Sequence, residues 1–145
     1  MSIQRQVEKK LQSEAFREFC QQKGIKLVVL FGSRAQGKAR LDSDWDLALL
    51  LEKDRLPPRG KELGRFRRKL IRDFCSFLET STLDMVLLNT ASPLMKYKVA
   101  RTGVAVYQKD RGDYARFASL AVRQHTDSRL FSELEEVYLR SMLKG

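Results

Sequence analysis

The sequence has too few histidines and cysteines for most metal and redox chemistry. His125 is the single histidine in 145 residues, so neither a histidine-based catalytic triad nor a zinc cluster that needs histidine can be assembled. The two cysteines, Cys20 and Cys75, lie in helical patterns without C-x-x-C spacing. We therefore expect reduced thiols in or near the core of a cytoplasmic protein, with no metal or redox role.

Long apolar stretches are also missing. No run of 18 uncharged apolar residues occurs, so no membrane-spanning helix is predicted. The first ten residues, MSIQRQVEKK, lack the apolar core of a signal peptide. We expect a cytoplasmic protein without membrane contact, with a single domain over residues 1–145 and a moderate core.

Patterns typical of helices and strands follow one another along the chain and predict an α/β fold with a mixed sheet of three to four strands flanked by helices. Strands are predicted at residues 26–31, 45–51, 83–88 and 104–107. Helices are predicted from Ile3 to Gly24, after Ser33, over 61–77, from Ser92 to Gly103, and over 113–143 with a break near 126–128.

The stretch from Phe31 to Leu51, FGSRAQGKARLDSDWDLALLL, carries most of the functional information. Asp44 and Asp46 alternate at the start of a strand, so both side chains project from one face, about 7 Å apart. Carboxylates at this spacing repel each other unless a cation lies between them, and they are typical ligands of Mg²⁺. Just upstream, Gly32 and Ser33 form a strand-to-helix turn whose backbone N–H groups can hold phosphate oxygens. This combination is typical of nucleotidyl transfer.

Each part of this motif also has a purely structural interpretation. Gly-Ser at a strand end is usually only a turn, and a single Asp-x-Asp is often a solvated strand entrance or a helix cap. Asp84 lies inside the apolar run STLDMVLL, where an unpaired buried charge would be costly, although a solvent-facing edge position is the alternative. Trp45 shares a strand face with Leu47 and is predicted to be a core residue.

The motif resembles the nucleotidyltransferase superfamily that includes DNA polymerase beta and kanamycin nucleotidyltransferase. Its pattern is Gly-Ser, ten residues, then Asp-x-Asp, and positions 32, 33, 44 and 46 match it. The resemblance implies a polymerase beta-like nucleotidyltransferase fold, ATP as substrate, and two Mg²⁺ ions. It assigns catalysis and metal binding to Asp44, Asp46 and Asp84, and it assigns nucleotide binding to Gly32, Ser33 and Arg34.

The short chain is similar to the minimal nucleotidyltransferases (MNT) over nearly its whole length. Polymerases and aminoglycoside-modifying relatives add further domains to hold their acceptors. The resemblance implies an antitoxin that transfers AMP from ATP to a tyrosine of a cognate HEPN ribonuclease toxin and so neutralises it. The C-terminal helical segment, residues 110–145, is then a candidate partner-docking element. The alternatives are a nucleotidyltransferase acting on RNA or a small molecule, and an antitoxin that acts by binding alone.

The net charge of +10 is concentrated in one segment. Between Arg59 and Arg72, seven Lys or Arg residues stand against the single acid Glu62. A nucleic-acid surface, attraction of a triphosphate or an acidic partner protein, and a solvated helix face all fit this run. Charge alone does not decide among them, and nucleic acid stays a secondary expectation.

Overall fold

A four-stranded mixed sheet forms the centre of the fold. The computed structural model describes residues 3–40 and 43–144. The strand order is β3-β2-β1-β4. Strand β1 pairs antiparallel with β2 and β4, whereas β2 and β3 are parallel. This confirms the predicted α/β fold class, and the strands are β1 Ile25–Phe31, β2 Trp45–Leu51, β3 Leu83–Leu87 and β4 Val104–Gln108.

Six α-helices flank the sheet within the described ranges. They are α1 Ile3–Leu11, α2 Glu14–Gln22, α3 Gly32–Ala35, α4 Lys61–Leu78, α5 Pro93–Thr102 and α6 Asp113–Lys144, and a 3₁₀ turn covers Lys53–Arg55. Helix α5 begins after Ser92, whose hydroxyl accepts a hydrogen bond from Met95 N at 3.2 Å, and ends at Gly103. Both ends of α5 lie where the sequence predicted them.

Two helix predictions were wrong. The N-terminal helix is divided into α1 and α2 because the Ser13 hydroxyl accepts a hydrogen bond from Phe16 N at 3.1 Å and so starts a new helix. Conversely, α6 has no break near residues 126–128. The Thr126 hydroxyl donates to Val122 O at 3.0 Å, so this side chain is satisfied within the helix and does not interrupt it.

The sheet is buried on both faces. One face packs against α1, α2 and α4 through a core that contains Phe16, Phe74 and Leu47. Trp45 is 2% exposed and lies in this core, as its position in the strand predicted. The other face packs against α5 and α6 through a smaller cluster with Val99. Because side chains alternate along a strand, Asp44 and Asp46 point to the face opposite Trp45, towards α5.

The two cysteines are free thiols, as expected. Cys20 is fully buried and Cys75 is partly buried. Burial raises the pKa of the Cys20 thiol well above its usual value, which keeps it protonated and unreactive. In the ranges that the structure describes, no helix combines the length and the apolar character that crossing a membrane requires.

Asn89 extends the sheet beyond the last residue of β3. Its side-chain oxygen accepts from Leu51 N at 2.9 Å, and its side-chain nitrogen donates to Leu51 O at 3.0 Å. The amide therefore pairs with β2 as a further strand residue would. This pairing fixes the end of the sheet farthest from the aspartates.

Candidate active site

The strand register brings the distant parts of the sequence motif together at one end of the sheet. Phe31, the last residue of β1, pairs with Asp46, and Asp46 pairs with Asp84 on the next strand. Adjacent strands lie about 4.8 Å apart, so Gly32, Asp46 and Asp84 are close neighbours. Asp44 precedes β2 by one residue and is exposed. The three predicted aspartates therefore lie around one end of the sheet.

Gly32 joins the two halves of the motif by direct contact. Its φ angle is +75°, a left-handed conformation that favours glycine. A Cβ atom at this position would lie 2.2 Å from the Oδ2 atom of Asp46. A larger residue would therefore strain the backbone and displace the carboxylate. The lack of a side chain at position 32 therefore leaves room for the Asp46 carboxylate beside the turn.

The electrostatics of Asp46 indicate that negative charge converges on it. Burial raises the pKa of this carboxyl, and the negative charges of Asp84 and Asp44 raise it further. The positive charge of Lys98 opposes them. Asp84 is itself exposed on the edge strand β3, which is the solvent-facing position that the sequence analysis left as the alternative. Asp84 is of interest as a site residue because of its position beside Asp46 and not because of burial.

The donor set fits magnesium. In the described ranges, no group of three or more Asp, Glu, His or Cys side chains is placed where it could hold a metal ion by itself. Mg²⁺ in nucleotide sites needs only one or two carboxylates, because phosphate oxygens and water complete its shell. The repulsion that Asp44 and Asp84 exert on Asp46 is what a bound cation would relieve. Metal binding by Asp44, Asp46 and Asp84 stays a prediction.

Ser33 and Arg34 lie in the short helix α3, directly after the glycine. The Arg34 guanidinium lies 4.2 Å from the centre of the Trp45 ring and donates to Ser43 O at 2.8 Å. It therefore ties α3 to the start of β2. This favours a role in positioning the turn. Phosphate binding by Ser33 and Arg34 stays a prediction.

Lys98 is a residue that the sequence reasoning missed. It lies on the exposed side of α5, the helix that packs against α3, and its charge acts on Asp46. A cation beside the aspartates can hold the phosphates of a nucleotide. The sequence of α5 contains both Lys96 and Lys98, and only the packing of the helix shows which of them faces the site.

Comparisons with known proteins bear on the family of this chain. The family described as polymerase beta, nucleotidyltransferase matches residues 14–112, which end just before α6. Among curated proteins, the chain is similar to the protein adenylyltransferase MntA of Aphanizomenon flos-aquae (strain 2012/KM1/D3). The identity is 30% over 105 residues, which cover 71% of this chain and 70% of that protein.

Two solved structures share the fold. One is a toxin–antitoxin structure with AMP-PNP, with 23% identity and a TM-score of 0.60, covering 83% of this chain and 94% of that one. The other contains the tri-AMPylated Shewanella oneidensis HEPN toxin in complex with its MNT antitoxin, with 20% identity and a TM-score of 0.58. It covers 94% of this chain and 99% of that one.

Proposed function

We propose, from the premise that this chain belongs to the polymerase beta nucleotidyltransferase family and to its minimal (MNT) branch, that it transfers AMP from ATP to a tyrosine of a cognate HEPN toxin. The chain is a nucleotidyltransferase. The observation that carries the proposal is the contact between Gly32 and Asp46. It supports the proposal because the predicted phosphate-binding turn is adjacent to the predicted metal ligand Asp46, with Asp84 in register beside it.

The site residues have distinct roles in the proposed reaction. The Gly32 and Ser33 turn, with Lys98, holds the β- and γ-phosphates of ATP. Asp84 lies beside the incoming tyrosine and accepts its hydroxyl proton. The tyrosine oxygen then forms a bond to the α-phosphorus, and the bond to the leaving pyrophosphate breaks. The aspartates would hold Mg²⁺, which would supply positive charge to neutralise the phosphates. The protein contributes mainly positioning and electrostatics.

The acceptor is proposed from the relatives. The curated relative is named a protein adenylyltransferase, which makes a protein side chain the favoured acceptor. One of the solved relatives was obtained with its HEPN toxin in the AMPylated form.

One observation favours the alternative acceptor, RNA. All seven basic residues of the segment 59–72 are exposed, and apart from Arg67, whose guanidinium donates to Met85 O, they can contact phosphates. Binding alone, without chemistry, is disfavoured because a contact surface does not require like charges converging on Asp46.

The test offers both acceptors to one enzyme. The purified chain is incubated with ATP, Mg²⁺ and the protein encoded by the neighbouring gene, and in parallel with RNA. We expect mass increments of one or more AMP units on the neighbouring protein, mapped to a tyrosine by tandem mass spectrometry. The variant Asp46→Asn should give no increment. AMP on RNA and never on the protein would contradict the antitoxin function but not the nucleotidyltransferase assignment.

A further inference from the structure

Most of the large apolar side chains that the described part of the chain exposes lie on one helix. The N-terminal half of α6 packs on α5, where Tyr114 donates to Ala100 O at 3.0 Å and His125 stacks on Tyr97 with ring centres 3.8 Å apart. Beyond residue 126 the described side chains of α6 are exposed. Those that are large and apolar are Leu130, Leu134, Val137, Tyr138, Leu139, Met142 and Leu143.

Five of these side chains form a continuous stripe, which we call the distal stripe: Leu130, Leu134, Val137, Tyr138 and Met142. Successive residues of a helix are rotated by about 100°, so these five lie within roughly 140° of one another. Ala121, which is buried against the body, lies about 130° from the centre of the stripe. The distal stripe therefore faces away from the side of α6 that packs on this chain.

The distal half of α6 lacks the packing that helices normally require. A helix of about 12–15 residues is only marginally stable alone in water, and most helices in proteins are stabilised by burying an apolar face. The distal stripe spans about 18 Å from Leu130 to Met142, or about three helical turns. That length is typical of a helix that lies in the apolar groove of a helical partner.

The charges beside the stripe bear on the identity of that partner. Acidic residues outnumber basic ones in this half of α6, so pairing two copies through the stripe would bring like net charges together. This disfavours a second copy as the occupant. Residues 126–143 contain four acids and two bases within a chain of net charge +10, so a partner groove with a basic rim is the better fit.

We propose that the distal stripe docks the helical toxin subunit, an inference that rests on the proposed function. The family match ends at residue 112, so α6 lies beyond the catalytic unit that the family shares. Docking on α6 holds the toxin by a surface that is separate from the aspartates. The held toxin then presents its tyrosine to the site at a high effective concentration.

The test compares two leucines on the same helix. Leu134 lies in the distal stripe and is 61% exposed, whereas Leu139 is 52% exposed and is rotated by about 140° from it. Complex formation between the full chain and the neighbouring gene product is measured by calorimetry without ATP. We expect Leu134→Glu to raise the Kd by about 30-fold or more, as loss of a central apolar anchor does. Leu139→Glu, the matched control, should leave the Kd within about threefold of the unchanged chain.

Kinetics add an independent readout. Leu134→Glu should raise the KM for the toxin, leave kcat at saturating toxin unchanged, and leave ATP affinity unchanged. Thermal melting of both variants shows that the fold is retained. Equal Kd values for the two variants would overturn the proposal. So would a dimer of the chain alone in sedimentation that Leu134→Glu dissociates and Leu139→Glu does not. A stripe-dependent complex without AMP transfer would support the docking while contradicting the proposed function.

Discussion

The aspartate end of the sheet and the distal half of α6 both depart from the usual rule that charged side chains are exposed and apolar side chains are buried, and they do so in opposite ways. At the sheet end, carboxylates are brought together and Asp46 is partly withdrawn from water. On α6, large apolar side chains such as Leu134 and Tyr138 are left in water. Either arrangement costs free energy in the isolated chain, and a different kind of molecule would remove each cost. A cation with a nucleotide suits the first region, and a protein surface suits the second.

The two regions also differ in what creates them. The crowding at Asp46 is fixed by the strand register and by the backbone of Gly32, both within this chain. The distal stripe, in contrast, is exposed in this chain alone, and a second molecule would be needed to cover it. Single substitutions within the chain should therefore weaken the aspartate site directly. Substitutions in the distal stripe should have an effect only when a partner is present.

The largest expected effect comes from removing the converging charges. Asp44→Asn combined with Asp46→Asn should lower the rate of AMP transfer by about 10³-fold or more. Metal-assisted charge stabilisation contributes several kcal/mol to such a reaction. Thermal stability should be equal or higher, because the substitution relieves like-charge repulsion around a partly buried carboxyl. Radiolabelled ATP measures the first quantity and calorimetric melting measures the second.

Asp54→Asn is the matched control, because this aspartate is exposed on the 3₁₀ turn away from the site. It should change neither quantity. Retained Mg²⁺-dependent labelling by the double variant would show that the carboxylates do not hold the metal. The aspartate end of the sheet would then not be a metal-binding region, and its contrast with the distal stripe would not hold.

An intermediate effect is expected from a single methyl group. Gly32→Ala puts a Cβ atom 2.2 Å from Asp46 Oδ2, so the carboxylate must move by about 1 Å or more. A displacement of that size can cost about 100-fold in kcat/KM. Gly37→Ala is the control, since Gly37 also has a positive φ of +70° but a Cβ atom added there would have no neighbour within 4 Å.

Both alanine variants should lose similar stability, about 1–2 kcal/mol, from the left-handed backbone. Only Gly32→Ala should lose activity. Equal activity of the two variants would mean that contact with Asp46 does not matter for transfer and that the turn is only structural.

The smallest effect is expected at Lys98. Lys98→Ala should raise the KM for ATP by about tenfold, which corresponds to the loss of one charge-assisted hydrogen bond to phosphate. Salt should reduce the difference, because the lysine is exposed and its charge is screened. Lys96→Ala, on the same helix, should leave the KM unchanged. A similar change in both variants would indicate general attraction of the nucleotide by basic charge.

The catalytic part of the fold could be predicted from the sequence because its signals are local. The Gly-Ser turn and the alternating aspartates lie within 15 residues of each other, and apolar runs identified the strands that carry them. Ser92 and Gly103 likewise marked the ends of α5 by residue type. Asp84 was predicted as the third carboxylate of the family pattern from its place in an apolar run, and the structure locates it on an exposed edge beside Asp46.

The remaining features of the site and the fold depend on three-dimensional contacts that cannot be read from the sequence alone. The contact between Gly32 and Asp46 follows from the antiparallel register of β1 and β2. The position of Lys98 near Asp46 follows from the packing of α5 against α3. The division between α1 and α2 depended on whether Ser13 caps a helix or continues one, and helical periodicity across residues 3–19 obscured it.

The hydrogen bond from Arg67 to the sheet has a consequence for solubility. Thr82 O and Leu88 N both bond to β2, at 2.7 and 2.8 Å, so by alternation the Met85 carbonyl faces the outer edge of β3. Arg67 donates to that oxygen at 2.5 Å. Open strand edges are where chains add to one another and start cross-β aggregates. Arg67, one member of the basic segment 59–72, thus occupies a hydrogen-bonding position on the edge of β3 that another polypeptide would need in order to pair there. This holds whatever the neighbouring basic residues bind.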